Sequence, residues 1–145
     1  YKNLQLKIMV IYTVIGVIWE ILFISFLITD LSLIGSLYSP VNADYEPVII
    51  FYLIFILITF LITGMLFARV SLKSDDSGIR LKGKFLILAI ISFTIGAALD
   101  GLKFYFPEST WGIILIMDRI ILASSAFEFY LGFILPPGVK KLFIK

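Results

Sequence analysis

From Val48 to Ala68 the chain carries no charged side chain. A run of this length matches the ~20 apolar residues that a helix needs to cross a hydrocarbon core of ~30 Å. Val and Ile are frequent in it, but an uninterrupted apolar run of this size indicates a helix, whereas a spanning barrel strand alternates apolar and polar residues. Three more segments share the character: about Ile8 to Thr29, broken only by Glu20, then about Phe85 to Phe106, and Trp111 to Leu135. Of the 145 residues, 61% are hydrophobic and 15% charged. A soluble chain this short has too much surface to hide such a share. The expected fold is all-α: one transmembrane domain over residues 1–145, with four transmembrane helices in a bundle.

Orientation follows from the cations. Ten of the twelve lysines and arginines lie at the N-terminus, around the connection between the second and third segments, or at the C-terminus; the other two lie within spans. The first connection, Asp30 to Pro47, holds Pro40, Asn42, Asp44 and Glu46 but no cation, and neither does Pro107-Glu108-Ser109-Thr110. The positive-inside rule then places both termini and the middle connection in the cytoplasm of a multi-pass cell-membrane protein. The middle connection, with Arg69, Lys73, Arg80, Lys82 and Lys84, faces the headgroups, although topology alone accounts for its charge. The stretch Leu31 to Tyr38 is apolar enough to lie in the interface. Tyr38, Tyr105 and Trp111 suit interface anchoring, whereas Trp19 sits too deep and reads as packing. The chain begins at Tyr1, so its start has been processed or lies outside this sequence.

In lipid, small and polar residues mark the faces where helices meet. At 100° per residue, Thr13, Gly16 and Glu20 share one side of the first segment. Tyr52, Thr59 and Thr63 do so on the second, Ala89, Ser92, Gly96, Asp100 and Lys103 on the third, and Asp118, Ser125, Glu128 and Gly132 on the fourth. The pairs Gly64/Ala68, Ser92/Gly96 and Ala97/Gly101 permit close approach, most simply as ordinary packing.

Charges within spans are expensive, about 2.5–3.5 kcal/mol at the bilayer centre, so they pair or act. A rise of ~1.5 Å per residue puts Glu20, Asp100, Asp118 and Arg119 at comparable depth on the outer side. Arg119 is expected to pair with Asp100 or Glu20, and Lys103 to snorkel outward or pair with Asp118. The simplest role for Glu20, Asp100, Lys103, Asp118 and Arg119 is an ion-pair clasp; an outward ligand pocket or an ion pathway are the alternatives. Glu128, alone in the inner half, is expected to be protonated or bonded to Ser124 or Ser125.

The chemistry absent from the sequence narrows function. There is no cysteine and no histidine. Thiolate and imidazole ligands, a cysteine nucleophile and the commonest proton shuttle are therefore missing. No phosphate-cradling glycine loop or nucleophile elbow occurs, Ser124 and Ser125 have no histidine beside them, and no carboxylate pair has metal-binding spacing. Neither an enzymatic role, nor a cofactor, nor a metal, nor a nucleic-acid partner is expected.

Two stretches, Arg80 to Asp100 (RLKGKFLILAIISFTIGAALD) and Leu131 to Phe143 (LGFILPPGVKKLF), resemble the closing helices of archaeal multi-span, seven-helix-like sensory membrane proteins. There a basic loop opens a glycine-containing helix, and the last span exits at a proline before two lysines. The resemblance implies the C-terminal four-helix half of a sensory module. Two functions follow from different classes. The first is a non-catalytic membrane subunit that packs within and stabilises a larger complex, with the lipid bilayer and other membrane proteins, or copies of itself, as partners. The second is a sensory module with an outward pocket. An ion or proton carrier comes third.

Overall fold

The computed structural model describes residues 2–39 and 42–144. It is mostly helical, with five α-helices: α1 (Lys2–Thr29), α2 (Pro47–Leu72), α3 (Ser77–Leu102), α4 (Trp111–Ile134) and α5 (Pro137–Phe143). Among the described residues, α1 from Leu6, α2 and α3 are long and apolar enough to cross a membrane. α4 is as long, but Asp118, Arg119 and Glu128 interrupt it. In hydrocarbon each peptide group needs an internal partner, so runs rich in Val and Ile become helices here.

The helices extend past the apolar runs that announce them. α2 continues to Leu72 and α3 begins at Ser77 instead of Phe85. Arg69, Arg80, Lys82 and Lys84 therefore stand on helices, and only Lys73 belongs to the connection. The early start of α3 has a local cause: Asp76 is extended, and its carboxylate accepts from Gly78 N at 2.6 Å and Ile79 N at 3.2 Å. Those bonds satisfy amides that the first turn otherwise leaves unpaired. They also hold the Asp76 carboxyl below the usual aspartate range, with Lys140 and Arg80 adding smaller contributions. α3 ends at Leu102, and two 3-10 turns, Lys103–Tyr105 and Glu108–Thr110, lead into α4 in place of a single tight turn. The Trp111 indole closes that corner by donating to the Phe106 carbonyl at 2.9 Å.

The chain divides within α2 into two compact units, Tyr1–Tyr52 and Leu53–Lys145. In the first, the connection after α1 is built rather than merely apolar. Asp30 caps a 3-10 turn, Leu31–Leu33, by accepting from Ser32 N at 2.9 Å. A two-stranded antiparallel hairpin follows, β1 (Gly35–Ser39) and β2 (Asn42–Tyr45), with an irregularity between Leu37 and Ser39. Gly35, at φ +156°, pairs with Tyr45, and a Cβ there would collide with the Asp44 carbonyl oxygen. Pro40 lies outside the described residues, as does the side chain of Tyr38. Trp19 stacks on Tyr52 with ring centroids 4.8 Å apart.

The second unit is organised by the antiparallel pair α3–α4. Followed along α3 from Leu86 to Gly96 to Asp100, the facing residues on α4 recede from Gly132 to Leu122 to Arg119. Glycines set the approach. A Cβ on Gly132 would stand 2.7 Å from Leu86 Cγ and 3.1 Å from its amide, and one on Gly96 2.9 Å from Leu122 Cγ. α2 joins this pair through a small core of Ala68, Leu86 and Ile90, with a Cβ on Gly64 falling 2.9 Å from Ile90 Cδ1. Gly101, by contrast, has open space around it.

α4 stops where Leu135 takes the left-handed conformation (φ 48°) and donates to Leu131 O at 3.0 Å. Pro136 and Pro137 cannot continue the ladder. α5 then folds beside α3, with the rings of Phe85 and Phe143 edge to face at 5.8 Å.

Candidate functional site: a buried charge cluster between α3 and α4

The last turn of α3 and the second and third turns of α4 face each other in the antiparallel pair. Asp100 and Lys103, three apart, share a side of the chain as α3 tightens into its 3-10 turn. Lys103 Nζ donates to Asp100 Oδ1 at 3.0 Å. From α4, Arg119 brings one terminal nitrogen to 3.6 Å from the same oxygen and its Nε to 3.6 Å from Asp118 Oδ1. The cluster thus joins two acidic and two basic side chains.

Burial is uneven. Asp118 is fully buried and the Lys103 side chain is 2% exposed, whereas Arg119 remains 54% exposed. Lys103 therefore points inward and does not snorkel. Neither carboxylate oxygen of Asp118 has a hydrogen-bond donor among the described residues. A buried carboxylate without donors is costly unless opposite charge lies close. Arg119 supplies such a charge, and Lys103 reaches the cluster through Asp100. One stripe of α4 turns Asp118, Ser125 and Gly132 inward, seven residues apart. That spacing returns to the same face every two turns, facing a stripe of α3 that buries Gly83, Leu86, Ala89, Ile90 and Gly96.

The structure thus assembles Asp100, Lys103, Asp118 and Arg119. Glu20 belongs to the other unit, where it is exposed on α1 together with Thr13 and Gly16. Glu128 accepts a hydrogen bond from Ser124 at 3.1 Å, while Ser125 donates to Leu122 O at 2.8 Å. Hydroxyls elsewhere bond back along their own helices: Thr13 to Met9 O, Thr63 to Thr59 O and Thr94 to Ile90 O.

At the opposite end of the same pair, two of the basic residues turn out to serve the protein. Lys82 donates to Phe133 O at 2.8 Å, closing a carbonyl left open at the end of α4. Arg80 donates to Ser74 O and Asp75 O in the connection. Arg69, Lys73 and Lys84 are exposed. The capping role of Asp76 had only a weak sequence signal, its residue type, since the apolar run begins at Phe85. The bond from Lys82 to a carbonyl fifty-one positions away had none.

Three apolar helices of spanning length suggest a membrane protein, and four of its charged residues are gathered between α3 and α4. No family model, curated protein or solved structure matches the chain.

Proposed function

We propose that this chain is a non-catalytic membrane subunit that crosses the bilayer four times, with both termini cytoplasmic, and stabilises a larger membrane assembly through α1. α4 is the fourth span. At ~1.5 Å per residue it is about 36 Å long. Its charges have partners within the chain: Asp118 faces α3, Arg119, though half exposed, reaches Asp100 and Asp118, and one Glu128 oxygen accepts from Ser124. The four-residue cluster acts as a clasp fixing the register of α3 against α4. Its members contact one another, and this favours the clasp over a ligand pocket.

One observation carries the assembly role. α1 holds Thr13, Gly16 and Glu20 on one side, all exposed, and a Cβ added at Gly16 would meet nothing within 4 Å. A carboxylate on a lipid-facing helix costs about 2.5–3.5 kcal/mol near the bilayer centre, which a neighbouring protein helix relieves. The test is photo-crosslinking from position 16 in the native membrane, with native mass spectrometry of the complexes extracted in mild detergent. The expected result is one constant set of membrane proteins attached through α1, lost in Glu20→Leu. A longer chain free of constant partners, unaffected by Glu20→Leu, would overturn this reading and favour the sensory module.

A further inference from the structure

The cations at the end of the second unit opposite the charge cluster fall into two groups. Arg80 and Lys82 are engaged with carbonyls, as described, and Lys140 lies over Gly78, its Nζ 3.3 Å from where a Cβ would stand, next to Asp76. Arg69, Lys73, Lys84 and Lys141 are exposed, with no hydrogen bond or ion pair among the described residues. They come from α2, the connection, α3 and α5. Packing brings those elements together: a Cβ on Gly83 would touch Leu72 and Ser71 at 3.1 Å, and Phe143 meets Phe85.

α5 has a second property. After the two prolines the chain does not run on away from the apolar layer. Gly132 faces Leu86 and Lys140 faces Gly78, but Phe143 is again level with Phe85. The short helix therefore turns back along α3, exposing Leu142 (79%) and Phe143 (63%) beside Lys140 and Lys141. Cations next to exposed apolar side chains, at the depth where a spanning helix leaves hydrocarbon, match a layer that is anionic outside and apolar inside. A small soluble anion would leave Leu142 and Phe143 without a role.

We propose that α5 lies in the membrane–water interface and, together with Arg69, Lys73 and Lys84, holds anionic phospholipid headgroups of that leaflet. The inference rests on the reading that α2, α3 and α4 span the bilayer. It goes beyond a charge bias that sets topology, because it assigns retained lipid to particular cations and an anchoring role to a returning helix.

The experiment uses the full chain in vesicles of phosphatidylcholine with an equal amount of phosphatidylglycerol. Lipids kept after release into mild detergent are counted by native mass spectrometry, for the natural sequence, for K84Q/K141Q and for L142S/F143S. Phosphatidylglycerol is expected to be retained over phosphatidylcholine. K84Q/K141Q should weaken that retention roughly 25-fold, about fivefold for each cation near an anionic surface. L142S/F143S should make a fluorophore at position 139 inaccessible to quenching by brominated lipid tails. Equal retention of the two lipids, retention unchanged by K84Q/K141Q, or equal displacement of the lipid by inorganic phosphate would each overturn the proposal. An alkaline wash separates the two readings. A chain that stays in the vesicles but shows no phosphatidylglycerol preference removes only the headgroup site, whereas a chain washed off removes the spanning reading itself.

Discussion

α1 and the α3–α4 pair are made of similar material and have opposite surroundings. Both are long apolar helices carrying small residues, hydroxyls and at least one carboxylate on a single side. On α3 and α4 that side is closed. Gly96 and Gly132 admit leucines, Asp118 is fully buried, and Lys103 and Arg119 converge on Asp100. On α1 the corresponding side, Thr13, Gly16 and Glu20, is exposed. A polar seam on a membrane helix therefore marks a face that requires a neighbour, without saying whether that neighbour is in the same chain. In lipid there is no hydrophobic drive between helices, so a seam is filled by whichever surface offers close packing and opposite charge.

The largest expected contrast is between Lys103→Met and Glu20→Gln. The first leaves two carboxylates facing Arg119 alone. Removing one partner of a buried pair costs about 3–5 kcal/mol, and the partial exposure of Asp100 and Arg119 points to the lower end. The second alters a side chain that is exposed on α1 and is expected to stay within about 0.5 kcal/mol in the isolated chain. Reversible unfolding in micelles measures both, and equal losses would erase the distinction between the seams.

Next comes a pair of glycines. Gly132→Ala drives a methyl into the side chain and backbone of Leu86, and should cost roughly 1–3 kcal/mol as overpacking. Gly16→Ala meets nothing and is expected to be neutral or slightly stabilising, because alanine is the better helix former. The same unfolding assay sharpens the comparison: a large loss at position 16 would show a closed face there.

The smallest effect concerns the start of α3. Asp76→Ala removes the cap on Gly78 and Ile79 and should lower stability modestly, because two first-turn amides lose their acceptor. Because the folded carboxyl is held below its ordinary range, the cap contributes fully above the unfolded value and fades as pH falls through the lowered one. The difference between Asp76→Ala and the natural sequence should stay constant from neutral to mildly acidic pH and shrink only in strong acid. Thermal unfolding followed by circular dichroism along a pH series tests this; a difference that disappears already near neutrality would mean that the cap is not what starts the helix.

Much of the fold was legible from composition. Helices α1, α2 and α4 begin or end close to where their apolar runs do, since the apolar run is itself what the bilayer demands. Helix ends beyond the apolar runs were not, because outside the hydrocarbon local capping decides. Asp76 started α3 ahead of Phe85, and Lys82 closed the end of α4. The hairpin after α1 was equally hidden: Gly35 and the residues around Asn42 signal a turn, but only the pairing of Gly35 with Tyr45 makes it a sheet. The charged residues of the cluster were recognisable individually by their cost in lipid. Their partners were not, for a charge on one helix carries no record of which helix will face it.

By itself, then, the sequence determined helical runs of membrane-crossing length and the uneven distribution of cations along them, because hydropathy and charge act residue by residue on transfer between water and lipid. Only the tertiary structure decided that Lys103 turns inward, that Asp118 lies against α3 and that α5 returns to Phe85. Those outcomes depend on glycine-sized gaps and antiparallel register between segments far apart in the chain, which no local property encodes.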